Sequence, residues 1–238
     1  MRLDTALVER SLTSSRNRAA RLIAERRVRV NGKTATKASL NISDADIIEA
    51  DAERWVSRAA YKLIGALDQA GIVMPPRVLD AGASTGGFTQ VCLERGAHRV
   101  YAVDVGHGQL VPQLREDSRV VVHEGLNLRD LQLAHLDDEP VDLVVGDVSF
   151  ISLTLLLEPL FTVCRGTALL LVKPQFEVGR ERLGAGGIVA DEREREHAVE
   201  RVIDAAAQLC WEPWWRGTSA LSGTHGNVEV FLAMHRKG

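Results

Sequence analysis

The chain has 238 residues, 45% of them hydrophobic and 26% charged, which suits one large domain or two unequal ones and excludes a disordered or fibrous protein. No run of eighteen apolar residues occurs, and Met1 is followed by Arg2, Asp4 and Glu9 with no apolar stretch, so neither a membrane span nor a secretory leader is readable and a cytoplasmic protein is expected. The net charge of −3 hides a segregation: residues 1–40 hold ten basic groups against three acidic ones, or +7, while the other 198 residues carry −10, which points to a polyanionic partner.

Leu3, Ala6, Leu7 and Val8 recur at helical spacing and predict a short first helix. Ser14 is placed to cap a second helix, whose Ala19, Leu22 and Ile23 form an apolar stripe opposite Arg16, Arg18 and Arg21. Residues 28–34 alternate apolar side chains with Arg29 and Lys33 about Asn31-Gly32, a hairpin signal because both central residues must take positive φ. These pieces predict a small basic module over residues 1–49, since a merely solvated face would mix charges of both signs. Residues 50–56, with Asp51, Glu53 and Arg54, read as a linker. A helix carrying Ala60, Lys62, Leu63, Leu67 and Ala70 then opens a larger domain over 57–238.

Beyond Pro75-Pro76, short apolar strands alternate with helices. Strands are expected at 77–81, 99–104, 119–123, 141–147 and 167–173, and helices beginning near Gly87, Gly108, Ser152 and Asp191, the last with an Asp191/Glu194 capping box. Continuous apolar runs at 141–145 and 168–172 suit strands buried on both faces, hence an α/β fold with a mostly parallel, doubly wound sheet. The final segments, 212–219 and 227–235, are joined too closely for a helical crossover and should pair antiparallel. Cys92, Cys164 and Cys210 lack the spacing of a zinc or disulfide framework and read as small core residues.

The chemistry concentrates at strand ends. Residues 78–88 run from a strand through a Gly-rich turn into a helix, where backbone can approach a nucleotide-like ligand closely. The turn contains Asp80, Gly82, Ala83, Ser84, Thr85, Gly86 and Gly87; Ser84 replaces the second glycine of a dinucleotide fingerprint, and Asp80 precedes the first. Asp104 ends the next strand, where a carboxylate can accept both ribose hydroxyls. S-adenosylmethionine fits this better than NAD, although a dehydrogenase or a structural glycine turn stays open at this point. Asp147 and Lys173 close two later strands and should share the same cleft, while Glu229 sits inside the last strand. Such charges are paired or functional when buried, so a structural ion pair is the alternative, and Lys62 alone could be a solvated helix lysine.

Residues 79–89, 104–110, 147–153, 172–179 and 226–229, together with Trp55-Val56-Ser57-Arg58, closely resemble the TlyA family of bacterial rRNA cytidine-2′-O-methyltransferases. The resemblance spans essentially the whole chain and implies an S4-like α+β RNA-binding domain followed by an FtsJ-like, Rossmann-like methyltransferase domain. It also implies a Lys-Asp-Lys-Glu catalytic tetrad, matched by Lys62, Asp147, Lys173 and Glu229. S-adenosylmethionine is expected over residues 82–87, in contact also with Asp80 and Asp147, its ribose on Asp104 and Asn127 near the adenine. Lys173 is the expected general base. Desolvation and neighbouring Lys62 would favour its neutral amine and Asp147 would oppose that, while Phe150 is placed to stack on the target base. Arg16, Arg18, Arg21, Arg29 and Lys33 are the expected phosphate contacts. The chain resembles the shorter family type, which implies large-subunit rRNA as partner. A catalytically silent assembly factor and a membrane-acting haemolysin are the alternatives; no amphipathic or spanning segment supports the second.

Overall fold

In the computed structural model of the chain, all residues are described except 11, 14, 52, 53, 180–182, 224 and 225. They form two units, Met1–Arg54 and Trp55–Gly238. In the first, helices α1 (Leu3–Glu9) and α2 (Arg16–Ala24) cover a small antiparallel sheet of β1 (Val28–Val30), β2 (Lys33–Thr34) and β3 (Ile48–Ala50), in the order β2-β1-β3. Leu3, Leu7, Leu22, Ile23 and Val28 build its core. Ser14 lies outside the described residues; the described cap of α2 is Ser15, whose side chain accepts the Arg18 N–H. Asn31 and Gly32 take φ of 52° and 77°, as a two-residue hairpin turn between paired Val30 and Lys33 requires.

The expected division at residue 49 moves. Strand β3 pairs with β1 through Ala50, and the Asp51 N–H donates to the Arg27 carbonyl, so the first unit continues beyond that point. Trp55 is buried in the second core, which leaves the expected linker over 50–56 shared between the two units.

The second unit runs α3 (Ala59–Ala70), β4 (Arg77–Ala81), α4 (Gly87–Glu94), β5 (Arg99–Asp104), α5 (Pro112–Arg115), β6 (Val120–Glu124), β7 (Val141–Gly146), α6 (Leu157–Thr162), β8 (Cys164–Val172), α7 (Pro174–Glu177), α8 (Glu192–Gln208), β9 (Trp211–Thr218) and β10 (Val230–Arg236). The sheet order is β6-β5-β4-β7-β8-β10-β9. The strands from β4 to β8 are parallel, and β10 lies antiparallel between β8 and β9. Alternation along each strand feeds two cores, one on each face. Leu79, Ala81, Val144 and Leu232 enter one, and Val78, Val145, Leu171 and Phe231 the other, beneath α3 and α4.

From central β4 the chain crosses to β5 on one side and, later, to β7 on the other. The crevice between the carboxyl ends of β4 and β7 is therefore the topological switch point, the place in such a sheet where ligands bind. Two expectations shift there. The helix expected near Gly108 starts only at Pro112, because the amides of Gly108, Gln109 and Leu110 all donate to the Glu124 carboxylate instead of opening a helix. The last strand starts at Val230, so Glu229 stands just before it rather than inside it.

Candidate active site

Strand β4 delivers the Gly-rich turn into this crevice. The Gly82 and Ala83 N–H groups both donate to the Val103 carbonyl, which ties the turn to β5. Gly82 has φ 85°, and a Cβ there would stand 3.2 Å from Val148 and 3.3 Å from the Asp147 carbonyl, so backbone from β4 and β7 meets without side-chain volume. Gly82, Ala83, Ser84, Thr85 and Gly87 line the crevice. Gly86 instead lets the turn pack on α5, since a Cβ on it would lie 2.3 Å from Leu114. Asp80 also departs from the expected ligand contact. Its carboxyl is fully buried and accepts from the Thr89 hydroxyl at 2.6 Å, bracing the turn from beneath. Burial pushes its pKa up to about 7.

Asp104 holds the next shelf. One oxygen accepts the Ser84 N–H at 2.8 Å and the other the Gly106 N–H at 2.7 Å, leaving each a further lone pair for a diol. Glu124, which sequence reasoning missed, grips the loop after Asp104. It accepts three successive backbone amides and pairs with Arg115 at 2.6 Å, and these donors hold its carboxyl down to about 2. Its signal was an acidic residue ending an apolar strand. Asn127 is exposed and its side chain accepts the Arg129 N–H, capping a single 3₁₀ turn at Leu128–Asp130.

On the other side of the turn, four elements converge. Lys62 of α3 donates to Glu229 at 2.5 Å and lies 3.9 Å from Asp147. Lys173, at the end of β8, approaches Asp147 to 2.6 Å and donates to the Ser149 hydroxyl at 2.7 Å. Glu229 and both lysines are buried, and Asp147 keeps 15% of its side chain exposed. Each buried lysine is set against a carboxylate, as a desolvated ionisable group must be. They sit in a cleft of about 910 Å³ that also includes the Gly-rich turn. At its rim Phe150 is 91% exposed, held at φ 66° and set 5.4 Å from the Phe176 ring. Buried Asn227, also missed, ties the cleft wall together, accepting the Val189 N–H and donating to the Gly187 carbonyl. Ser149 and Asn227 both stand inside the phrases that carried the family resemblance.

In the first unit, Arg16 pairs with Asp4 at 3.0 Å and Arg21 with Glu25 at 3.3 Å. Arg18 is half-buried, which, with neighbouring Arg21, lowers its guanidinium pKa. Arg29 and Lys33 stand exposed on the hairpin.

The donor set fits S-adenosylmethionine on two observations: Asp104 presents carboxylate lone pairs beside the turn, and Gly82, Ala83, Ser84 and Thr85 line the open cleft next to it. Residues 55–236 match the FtsJ-like methyltransferase model and residues 1–48 the S4 domain model. The 16S/23S rRNA (cytidine-2′-O)-methyltransferase TlyA of Mycobacterium tuberculosis is 48% identical, covering 97% of this chain and 88% of that protein. The 23S rRNA (cytidine-2′-O)-methyltransferase TlyA of Campylobacter jejuni is 36% identical, covering 97% and 98%. A solved structure from Streptococcus thermophilus, named as a supposed hemolysin, superposes with a TM-score of 0.78 at 36% identity and covers 100% of this chain and 88% of its own. Fold, cleft and matches define an FtsJ-like methyltransferase preceded by an S4 domain. Within that class, the chain belongs to the TlyA family of rRNA cytidine-2′-O-methyltransferases.

Proposed function

We propose that the protein methylates the ribose 2′-oxygen of a cytidine in large-subunit rRNA, using S-adenosylmethionine. The observation that carries this reading is the convergence of Lys62, Asp147, Lys173 and Glu229 in one cleft with the Gly-rich turn. S-adenosylmethionine, when bound, supplies an electrophilic methyl group. Asp104 and the 82–85 backbone would hold it. The attacking hydroxyl must lose its proton, and Lys173, as its neutral amine, is the base: the O–H bond breaks, an N–H bond forms at Nζ, and the resulting ammonium rests against Asp147. Ser149 and Asp147 aim that amine, and Lys62 with Glu229 orients the sugar. Phe150 stacks on the base of a nucleotide turned out of its helix. Large-subunit rRNA is favoured because 23S is the substrate common to the names of both curated relatives above.

The test is to incubate the protein with methyl-labelled cofactor and separated ribosomal subunits, then map the label. A cytidine ribose in the large subunit is expected. Label on a base overturns the chemistry, and label confined to the small subunit overturns the specificity. Lys173→Ala should lower turnover on saturating rRNA by about 10²-fold or more and leave cofactor affinity unchanged; normal turnover would remove Lys173 from the role of base.

A further inference from the structure

The loop between Asp104 and α5 carries a side chain that the tetrad and the Gly-rich turn leave unexplained. Gln109 folds back from this loop, and its Oε1 accepts from the Ser84 hydroxyl at 3.1 Å, joining the loop to the turn after β4. Its amide nitrogen lies 1.8 Å from the position a Cβ on Gly106 would occupy, and Asp104 Oδ1 lies 3.1 Å from that same position. Gly106 is therefore open ground that Gln109 crosses to stand beside the Asp104 carboxylate. The backbone beneath it is fixed, since the Gln109 N–H donates to Glu124 at 3.0 Å between the bonds from Gly108 and Leu110. Gln109 is exposed and adds nothing to the apolar core, so packing does not account for the arrangement.

We propose that Gln109 is a cofactor-binding residue, its carboxamide completing with Asp104 and Ser84 the shelf that receives the ribose diol of S-adenosylmethionine. This rests on the methyltransferase reading above and extends it to a residue on a different loop. An amide suits the place because its nitrogen donates to a hydroxyl oxygen while Asp104 accepts that hydroxyl's proton, so that ribose oxygen meets both a donor and an acceptor. Ser84 keeps the carbonyl end occupied and points the nitrogen toward the carboxylate. Gly106 is the enabling position: its φ lies outside the left-handed region, so an alanine there keeps the backbone, takes the place of the Gln109 amide and stands close to Asp104 Oδ1. Glu124 is a positioning residue that acts through the 108–110 amides.

Titration calorimetry of the full chain with S-adenosylhomocysteine tests this. Gln109→Ala should weaken binding about fivefold to tenfold, the effect of losing one ordinary hydrogen bond, with the melting temperature of the ligand-free protein unchanged. Gly106→Ala should weaken binding at least as much, by displacing Gln109 and crowding Asp104, and the double variant should be no weaker than Gly106→Ala alone, because the Gln109 contact is already lost there. Unchanged or tighter binding by Gln109→Ala overturns the proposal, and so do single effects that multiply in the double variant. If the unaltered chain binds neither S-adenosylhomocysteine nor S-adenosylmethionine, the cofactor reading falls and this inference with it. Tight binding by the unaltered chain with no change in Gln109→Ala removes Gln109 alone.

Discussion

Asp80 shows how a residue can be visible in sequence while its role is not. Its place before the first glycine of the turn marked it, but the two-residue period of β4 puts it with Val78 on the face beneath α4, away from the cleft. There the protonated carboxyl is favoured in the folded state, with a pKa near 7, while the unfolded chain ionises in the ordinary carboxylate range near 4. The folded pKa is raised, so the stabilising contribution is complete below the unfolded value and is lost as pH rises through the folded one. Asp80→Asn removes that titration and keeps an acceptor for Thr89. Between pH 5 and 8 the natural chain should lose roughly 2–3 kcal/mol relative to this variant, measured by chemical denaturation at each pH. A difference that does not vary with pH would place the Asp80 carboxylate in a far less buried setting. Glu124 is visible as an acidic residue ending an apolar strand, but its role is not, because that role depends on three amides that a loop, with no periodicity to read, brings to one carboxylate.

At the scale of elements, the site depends on how closely α3 approaches α4. Lys62 was recognised through family resemblance, yet the helix carried its own signal, because Lys62 falls within the buried stripe of Ala60, Leu63, Ala66 and Leu67. A lysine in such a stripe must find a carboxylate, and Glu229 supplies it. The stripe reaches the cleft only because Gly87 begins α4: a Cβ there would stand 2.2 Å from the Ser57 hydroxyl and 3.3 Å from the Ala60 nitrogen. Gly87→Ala should therefore cost about 1–3 kcal/mol by thermal or denaturant unfolding and lower methyl transfer by shifting α3. Adding Ser57→Ala should recover part of the stability, since it removes the nearest clash and leaves the backbone one. A variant as stable and as active as the natural chain would show that α3 has room to move. The parallel strands were legible because burial on both faces makes continuous apolar runs. Strand β3 was not, since three residues of which Ile48 and Ala50 are only half-buried make no readable pattern.

Across the whole molecule, charge is segregated more narrowly than the first forty residues imply. Residues 41–54 add five acidic groups and one arginine, so the unit Met1–Arg54 carries +3 rather than +7. Several of its charges are already engaged: Asp4 pairs with Arg2 and Arg16, and Arg10 donates to the Asp46 and Ser43 carbonyls. Arg29 and Lys33 are exposed on the hairpin with no ion pair among the described residues, which makes them the cations most available to phosphate. Neutralising an RNA phosphate releases condensed counterions, so each contact contributes about 0.7–0.9 to the slope of log affinity against log salt. Arg29→Gln with Lys33→Gln should therefore lessen the salt slope of rRNA binding by about 1.4–1.8, measured by filter binding across a salt series. S-adenosylhomocysteine affinity should not change, because the residues proposed to hold the cofactor lie in the other unit. Arg16→Gln should lessen the slope by clearly less than the roughly 0.7–0.9 of one full contact, because that guanidinium already faces Asp4 and must leave it to meet a phosphate. A change of about 0.7–0.9 for Arg16→Gln would mean that the Asp4 pair is given up on binding, and an unchanged slope in the double variant would take the hairpin out of the RNA interface.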